Sequence, residues 1–113
     1  MRIGIVGGLA RAEPIFARIA EAAGHEPIFH RGEINSSGVR AMTSLVDNAD
    51  LVVILTDVNS HGAVRLARRL LREQGRSPLL RTRCGVARFG ALVAALNQRS
   101  LIRGASSTQQ SVA

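Results

Sequence analysis

Leu51-Val52-Val53-Ile54-Leu55 runs without a break into Thr56-Asp57-Val58-Asn59-Ser60-His61, the stretch LVVILTDVNSH. An uninterrupted apolar run of this length, rich in β-branched residues, is the pattern of a strand covered on both faces, as in the middle of a parallel sheet. The polar cluster that follows falls where a buried strand gives way to a helix. Open α/β sheets bind ligands at that edge. This one segment therefore predicts both a fold class and the side of the fold on which to look for a site.

Working outward, the same alternation recurs. Upstream, Arg2–Val6 (RIGIV) reads as a first strand ending in the turn Gly7-Gly8. Ala10–Ala23 reads as a helix that starts near Ala12 or Glu13, because Pro14 is tolerated only in a first turn. Its apolar stripe is Ile15, Phe16, Ile19, Ala20 and Ala23, and Gly24 closes it. Glu26–His30 is the second strand, followed by the polar loop RGEINSSG. Val39–Asn48 is a short helix with Val39, Met42, Leu45 and Val46 turned inward. Downstream, Ser60–Gln74 is the most regular helix, with Ala63, Leu66, Ala67, Leu70 and Leu71 on one face and His61, Arg65, Arg68, Arg69 and Arg72 on another. Pro78–Thr82 is a fourth, weaker strand. Val86–Asn97 is a last helix with Val86, Phe89, Val93 and Leu96 at core spacing.

Strands alternating with helices imply a parallel sheet with right-handed crossovers. The expected architecture is a single-domain α/β fold, Rossmann- or flavodoxin-like, over residues 1–97. Its four-stranded parallel sheet has the order 2-1-3-4 and helices on both faces. The switch point then lies between the first and third strands. Residues 98–113 read as a polar, flexible C-terminal tail.

Composition removes several functions. The chain has 113 residues and a net charge of +7, and all fifteen basic residues are arginine. With no lysine there is no Schiff-base chemistry and no P-loop lysine. Trp and Tyr are absent, and Phe16, Phe29 and Phe89 sit in apolar contexts. Nucleic acid is disfavoured as a partner, since a single-strand binder stacks bases on exposed aromatics. No run approaches the roughly 18 apolar residues of a membrane span, and MRIGIVGG lacks the apolar core and cleavage site of a signal peptide. A cytoplasmic, bacterial-type protein is the expectation. Cys84 is the single cysteine, so no intrachain disulfide forms.

Two residue sets compete for the site. His30, Glu33, Asp57 and His61 all fall on loops at one sheet edge. Imidazole with carboxylate is a ligand set for a divalent first-row metal, and without thiolate it favours iron over zinc. The plainer assignment makes Asp57 or Asn59 a helix cap, His61 a first-turn residue and His30 a backbone partner. The second set, Gly7, Gly8, Ser60 and Arg83, would hold a small anion, a phosphate compound or a nucleotide, with backbone amides and a guanidinium as donors. The dinucleotide fingerprint itself is absent, because Leu9 stands at the second glycine position and His30-Arg31 replaces the ribose-binding acid. A receiver-type phosphorylation site at Asp57 also fails, lacking both the acidic pair after the first strand and a lysine. His25, following Gly24 at the opposite edge, is expected to face solvent. Gly90, Ala91, Ala94 and Ala95 on the last helix permit close helix contact and point to a homo-oligomer.

The combination of RIGIVGG, the His30-x-x-Glu33 loop and ADLVVILTDVNSH before a basic helix resembles a family of small bacterial proteins, domain of unknown function 2325, over roughly Met1 to Leu96. The resemblance implies a compact Rossmann-like α/β domain with no established enzymatic role, and Asp57-x-x-x-His61 is its distinctive element. Many relatives carry a cysteine between those two residues, where this chain has Val58, Asn59 and Ser60. The sequence thus leads to a non-enzymatic, oligomeric binding protein that holds iron or another divalent metal at the C-terminal edge of the sheet. The alternative is a regulatory module that binds an anion at Gly7-Gly8.

Overall fold

The computed structural model describes residues 1–98. Its four strands are β1 (Arg2–Val6), β2 (Glu26–His30), β3 (Leu51–Leu55) and β4 (Leu79–Arg81), and they form one parallel sheet in the order β2-β1-β3-β4. The helices are α1 (Glu13–Ala22), entered through a 3-10 turn at Ala10–Ala12, then α2 (Ser36–Asn48), α3 (His61–Glu73) and α4 over residues 86–98. Fold class, strand order and switch point match the sequence reading. The polar stretch assigned from Gln98 onward lies, beyond that residue, outside the described residues. No described helix is long and apolar enough to cross a membrane.

The apolar run of β3 divides by strand alternation. Val52 and Ile54 enter a cluster with Met42, Leu45, Val46, Ala63, Ala67 and Leu71, under α2 and α3. Val53 and Leu55 enter the opposite cluster with Phe16, Ala20, Phe89 and Val93, under α1 and α4. β1 divides in the same way, with Val6 in the first cluster and Ile3 and Ile5 in the second. Each such buried aliphatic side chain stabilises by roughly 1.5–3 kcal/mol. Across the second face the rings of Phe16 and Phe89 stack, with centroids 4.4 Å apart and planes 8° from parallel, which fixes α4 against α1.

Polar side chains fasten the ends of these elements. Asn35 caps α2 by accepting from the Gly38 N–H, and Ser60 caps α3 by accepting from Ala63. Arg76, in the loop after α3, donates to the carbonyls of Val46 (2.7 Å) and Ala49 (2.6 Å). It puts a cation on the C-terminal end of α2, where the dipole favours one.

Three expectations are corrected. α2 begins three residues earlier than Val39, because the Asn35 cap starts the helix at Ser36 even though Gly38 lies in its first turn. Val39, with Ile15 and Val86, is exposed although its spacing fits a core stripe. His25 is buried: its Nδ1 lies 3.0 Å from the amino group of Met1 and its Nε2 lies 2.6 Å from Asn97 Oδ1. Asn97 in turn donates to the Ala23 carbonyl, so this chain of contacts docks α4 on the β2 entry.

Gly4 and Gly90 test this packing in opposite directions. A Cβ at Gly4 would lie 2.5 Å from Leu45 Cδ2 and 3.2 Å from Ala49 Cβ, so α2 rests directly on β1 there. Gly4→Ala is expected to cost about 1–3 kcal/mol through overpacking. At Gly90, inside α4, a Cβ would meet nothing within 4 Å, and Gly90→Ala should stabilise by about 0.5–1 kcal/mol. Urea midpoints of the two variants decide it.

Candidate functional site

Where β1 and β3 end, the switch-point crevice is occupied by the chain itself. Asn59 Nδ2 donates to the carbonyls of Leu55 (2.9 Å) and Val6 (3.2 Å), joining the last residues of the two strands, and Asn59 Oδ1 accepts from the Ser60 N–H (2.9 Å). The carboxamide fits only because its neighbours have no side chain. A methyl group at Gly7 would lie 2.6 Å from Asn59 Nδ2, and one at Gly32 would lie 2.6 Å from Asn59 Oδ1. Both glycines also have left-handed φ, +94° each. Sequence reading considered Asn59 only as a helix cap. The asparagine that closes the crevice carries no distinguishing pattern beyond its place between Asp57 and the Ser60 cap.

The four candidate metal ligands are not drawn together. His30 is buried, and both of its ring nitrogens are engaged: Nδ1 accepts from the Gly32 N–H (2.9 Å), and Nε2 lies 2.7 Å from the Gly38 carbonyl. A neutral ring with its proton on Nε2 satisfies both contacts. His30 therefore fastens the β2–α2 loop. With Glu33 it lines a hollow beside the outer strand β2, where Arg31 pairs with Glu13 at 3.2 Å. Asp57 is exposed and lines a different pocket, and His61 is exposed on the first turn of α3. Among the described residues no three His, Cys, Asp or Glu side chains stand in a group that could hold a metal ion.

The amide donors of the anion set are also spent. The Gly7 N–H donates to the His30 carbonyl and the Gly8 N–H to the Val58 carbonyl, each at 2.7 Å. Ser60 Oγ donates to the Gly32 carbonyl at 2.8 Å while capping α3. Arg83 is different, since its guanidinium makes no ion pair among the described residues.

Gly8, Asp57 and Arg83 do share one pocket, of roughly 330 Å³, on the α1/α4 side of the sheet end. Leu9, Ala12, Phe16, Leu55, Val58 and Val86 make most of its wall, and Cys84 lies beside Arg83. The loop that carries these two residues is tied to the β3 end: Thr56 N–H donates to the Arg81 carbonyl, and the Thr56 and Thr82 hydroxyls meet at 2.7 Å. Asp57 Oδ2 accepts the Arg83 N–H at 3.0 Å. Arg83 has φ +54°, the sole left-handed non-glycine residue among those described, a conformation costing about 1–2 kcal/mol. Burial pushes the Cys84 thiol above its ordinary range, opposed by Arg81 and Arg88 and aided by Asp57.

A family model described as an uncharacterized protein conserved in bacteria (DUF2325) matches residues 2–98. No curated protein and no solved structure matches the chain.

The two roles open to His30 separate by experiment. As a backbone fastener, His30→Ala leaves the Gly32 N–H without its partner and removes the side-chain contact on the Gly38 carbonyl in the first turn of α2. It should cost roughly 2–3 kcal/mol, equally in chelator-treated and untreated protein. A loss confined to untreated protein assigns the ring to a metal.

Proposed function

The chain belongs to the DUF2325 family, and we propose that it is a non-enzymatic binding module for a small ligand that joins an apolar body to an anionic group, carboxylate or phosphate. The apolar body lies against Phe16, Leu55, Val58 and Val86, and the anion meets Arg83 at the mouth. Arg83 carries this reading: a non-glycine residue is held in a costly left-handed conformation by the Asp57 carboxylate, on the rim of a mainly apolar pocket. Backbone strain retained at a pocket rim points to use, and glycine would have removed it. The pocket's own charged lining is Arg83 and Asp57. Arg81 and Arg88, which act on Cys84 from a neighbouring hollow, add positive charge to that edge, so an anion is the matching charge. The pocket has the size and apolar lining of a small-molecule site. This is the anion-binding alternative moved from the Gly7-Gly8 amides, which are engaged, to the neighbouring wall.

A cytoplasmic setting suits a free thiol beside the site. Self-association through exposed Ala91, Ala94 and Ala95 of α4 belongs to the same reading, and sedimentation reporting only the 12.0 kDa species would remove that part. Iron or zinc held by His30, Glu33, Asp57 and His61 is the competing reading. It requires His30 to give up both backbone partners, and elemental analysis of protein purified without a His-tag or chelator decides it.

Octanoate and phenyl phosphate are suitable probes, each with an apolar body and one anionic end. Arg83→Gly is the informative variant. Relief of roughly 1–2 kcal/mol of strain offsets glycine's entropy cost of about 0.5–1 kcal/mol, so its urea midpoint should be unchanged or raised. Its affinity for the better probe should fall at least tenfold by calorimetry. Intact binding in that variant overturns the assignment. Cys84 supplies a second readout. Its raised thiol should alkylate with iodoacetamide more slowly than free cysteine at neutral pH, and the rate should rise with pH above the ordinary thiol range. A bound probe should slow it further.

A further inference from the structure

The arginine stripe of α3 and the exposed aliphatics beside it take no part in that pocket. Ile34 is 43% exposed and Val39 37% exposed. They lie with Leu66 along a groove of roughly 350 Å³ between α2 and α3, whose remaining wall is Gly62, Arg65 and Arg69. We propose that this groove docks a short acidic segment of a partner protein, seating one aliphatic side chain between Ile34, Val39 and Leu66 and placing carboxylates on Arg65 and Arg69.

Charge selects the partner. α2 and α3 together carry Arg40, Arg65, Arg68, Arg69 and Arg72 against only Asp47 and Glu73. Both acids are occupied, since Asp47 Oδ1 accepts from Gln74 and Glu73 pairs with Arg69 at 3.8 Å. Arg65, Arg68 and Arg72 make no ion pair among the described residues. Arg65 and Arg69 are one helical turn apart, about 6 Å along the axis, a separation that carboxylates one turn apart on a docked helix reproduce. Apolar anchors rimmed by charge are the pattern of helix-in-groove recognition. A second copy of this chain fits poorly, because its own arginine stripe would face the first. A nucleic acid fits poorly as well, because the floor is aliphatic and offers bases nothing to stack on.

Gly62 adds an independent observation. It stands in the first turn of α3 with no left-handed φ. A Cβ there would meet only Ile34, at 3.5 Å from its Cγ1, which is ordinary contact. The fold therefore does not require glycine at this position, although glycine weakens a helix. Its absent side chain keeps the groove open.

The test is fluorescence anisotropy on the full chain. The probe is a labelled 14-residue peptide with leucines at helical spacing among glutamates. A polyglutamate peptide of equal charge and a single-stranded DNA oligonucleotide serve as controls. The leucine peptide should bind at least tenfold more tightly than polyglutamate, and raised salt should weaken it. Gly62→Leu, which fills the groove and leaves the fold intact by circular dichroism, should weaken it at least tenfold. Arg65→Glu with Arg69→Glu should do the same. Equal binding of polyglutamate, unchanged binding in Gly62→Leu, or tighter binding of the oligonucleotide would each overturn the proposal. A dimer of the parent chain that Gly62→Leu abolishes in sedimentation would overturn it too, by making a second copy the occupant. Because Arg83 and the pocket lie outside this groove, failure here leaves the small-ligand reading standing.

Discussion

Everything at the C-terminal edge of the sheet is arranged around the carboxamide of Asn59. Parallel strands β1 and β3 diverge in their connections at this point, and the gap between them would ordinarily admit a ligand. Here one amide nitrogen reaches the final carbonyl of each strand, and the amide oxygen holds the entry to α3. Buried carbonyls at strand ends need partners, and a single side chain supplies two. The arrangement needs empty space on both sides, so Gly7 and Gly32 follow from Asn59. The turn after β1 is secured by the Gly7 amide, which bonds to the last carbonyl of β2, and the Gly8 amide, which bonds to the Val58 carbonyl in the loop after β3.

Closing the central crevice displaces the open space to either side. Beside β2, His30 uses both ring nitrogens to shape a loop, and the one cation lining the hollow there, Arg31, is already paired with Glu13. On the α1/α4 side, the wall is apolar and the strained backbone at Arg83 is retained. A polar loop that satisfies itself has little left to offer a ligand. A mainly apolar cavity with a spare guanidinium at its mouth has both a desolvation gain and a point of orientation to offer.

Much of this was legible in the chain. LVVIL identified the buried strand because five apolar residues in succession leave no solvent face. Alternation of strand and helix signals then gives the sheet order, whereas Asp57 and Arg83 stand out in the sequence only in separate sets, one as a metal ligand and the other as an anion donor. Other features were not legible, for identifiable reasons. Helical periodicity marks one face of a helix but not how much of that face a neighbour covers, so Ile15, Val39 and Val86 were assigned inward and lie exposed. His25 is read from its position after Gly24, whereas its role depends on Asn97, distant in sequence. The backbone role of His30 is legible only as one of two alternatives, since its partners Gly32 and Gly38 are unremarkable in type. The left-handed backbone of Arg83 has no sequence signature at all, since arginine does not favour it. Cys84 entered the pocket wall only through the bend that this backbone makes.

The segment from Asp57 to Gly62 belongs to two surfaces at once. Its first residue braces the pocket rim through the Arg83 amide, and its last leaves the α2/α3 groove open. Between them Val58, Asn59 and Ser60 are each fastened to a different strand end or loop. Six consecutive residues thus connect the two faces of the domain, with the Asn59 and Ser60 side chains both engaged. Separability is what this arrangement gives up. The two surfaces lie on opposite sides of the domain, yet their amino-acid choices are not independent, and a replacement at the centre of the segment registers on both. Attributing a defect to one surface or the other is therefore cleanest when a change within the segment is matched by one outside it, at Arg83 or at Arg65.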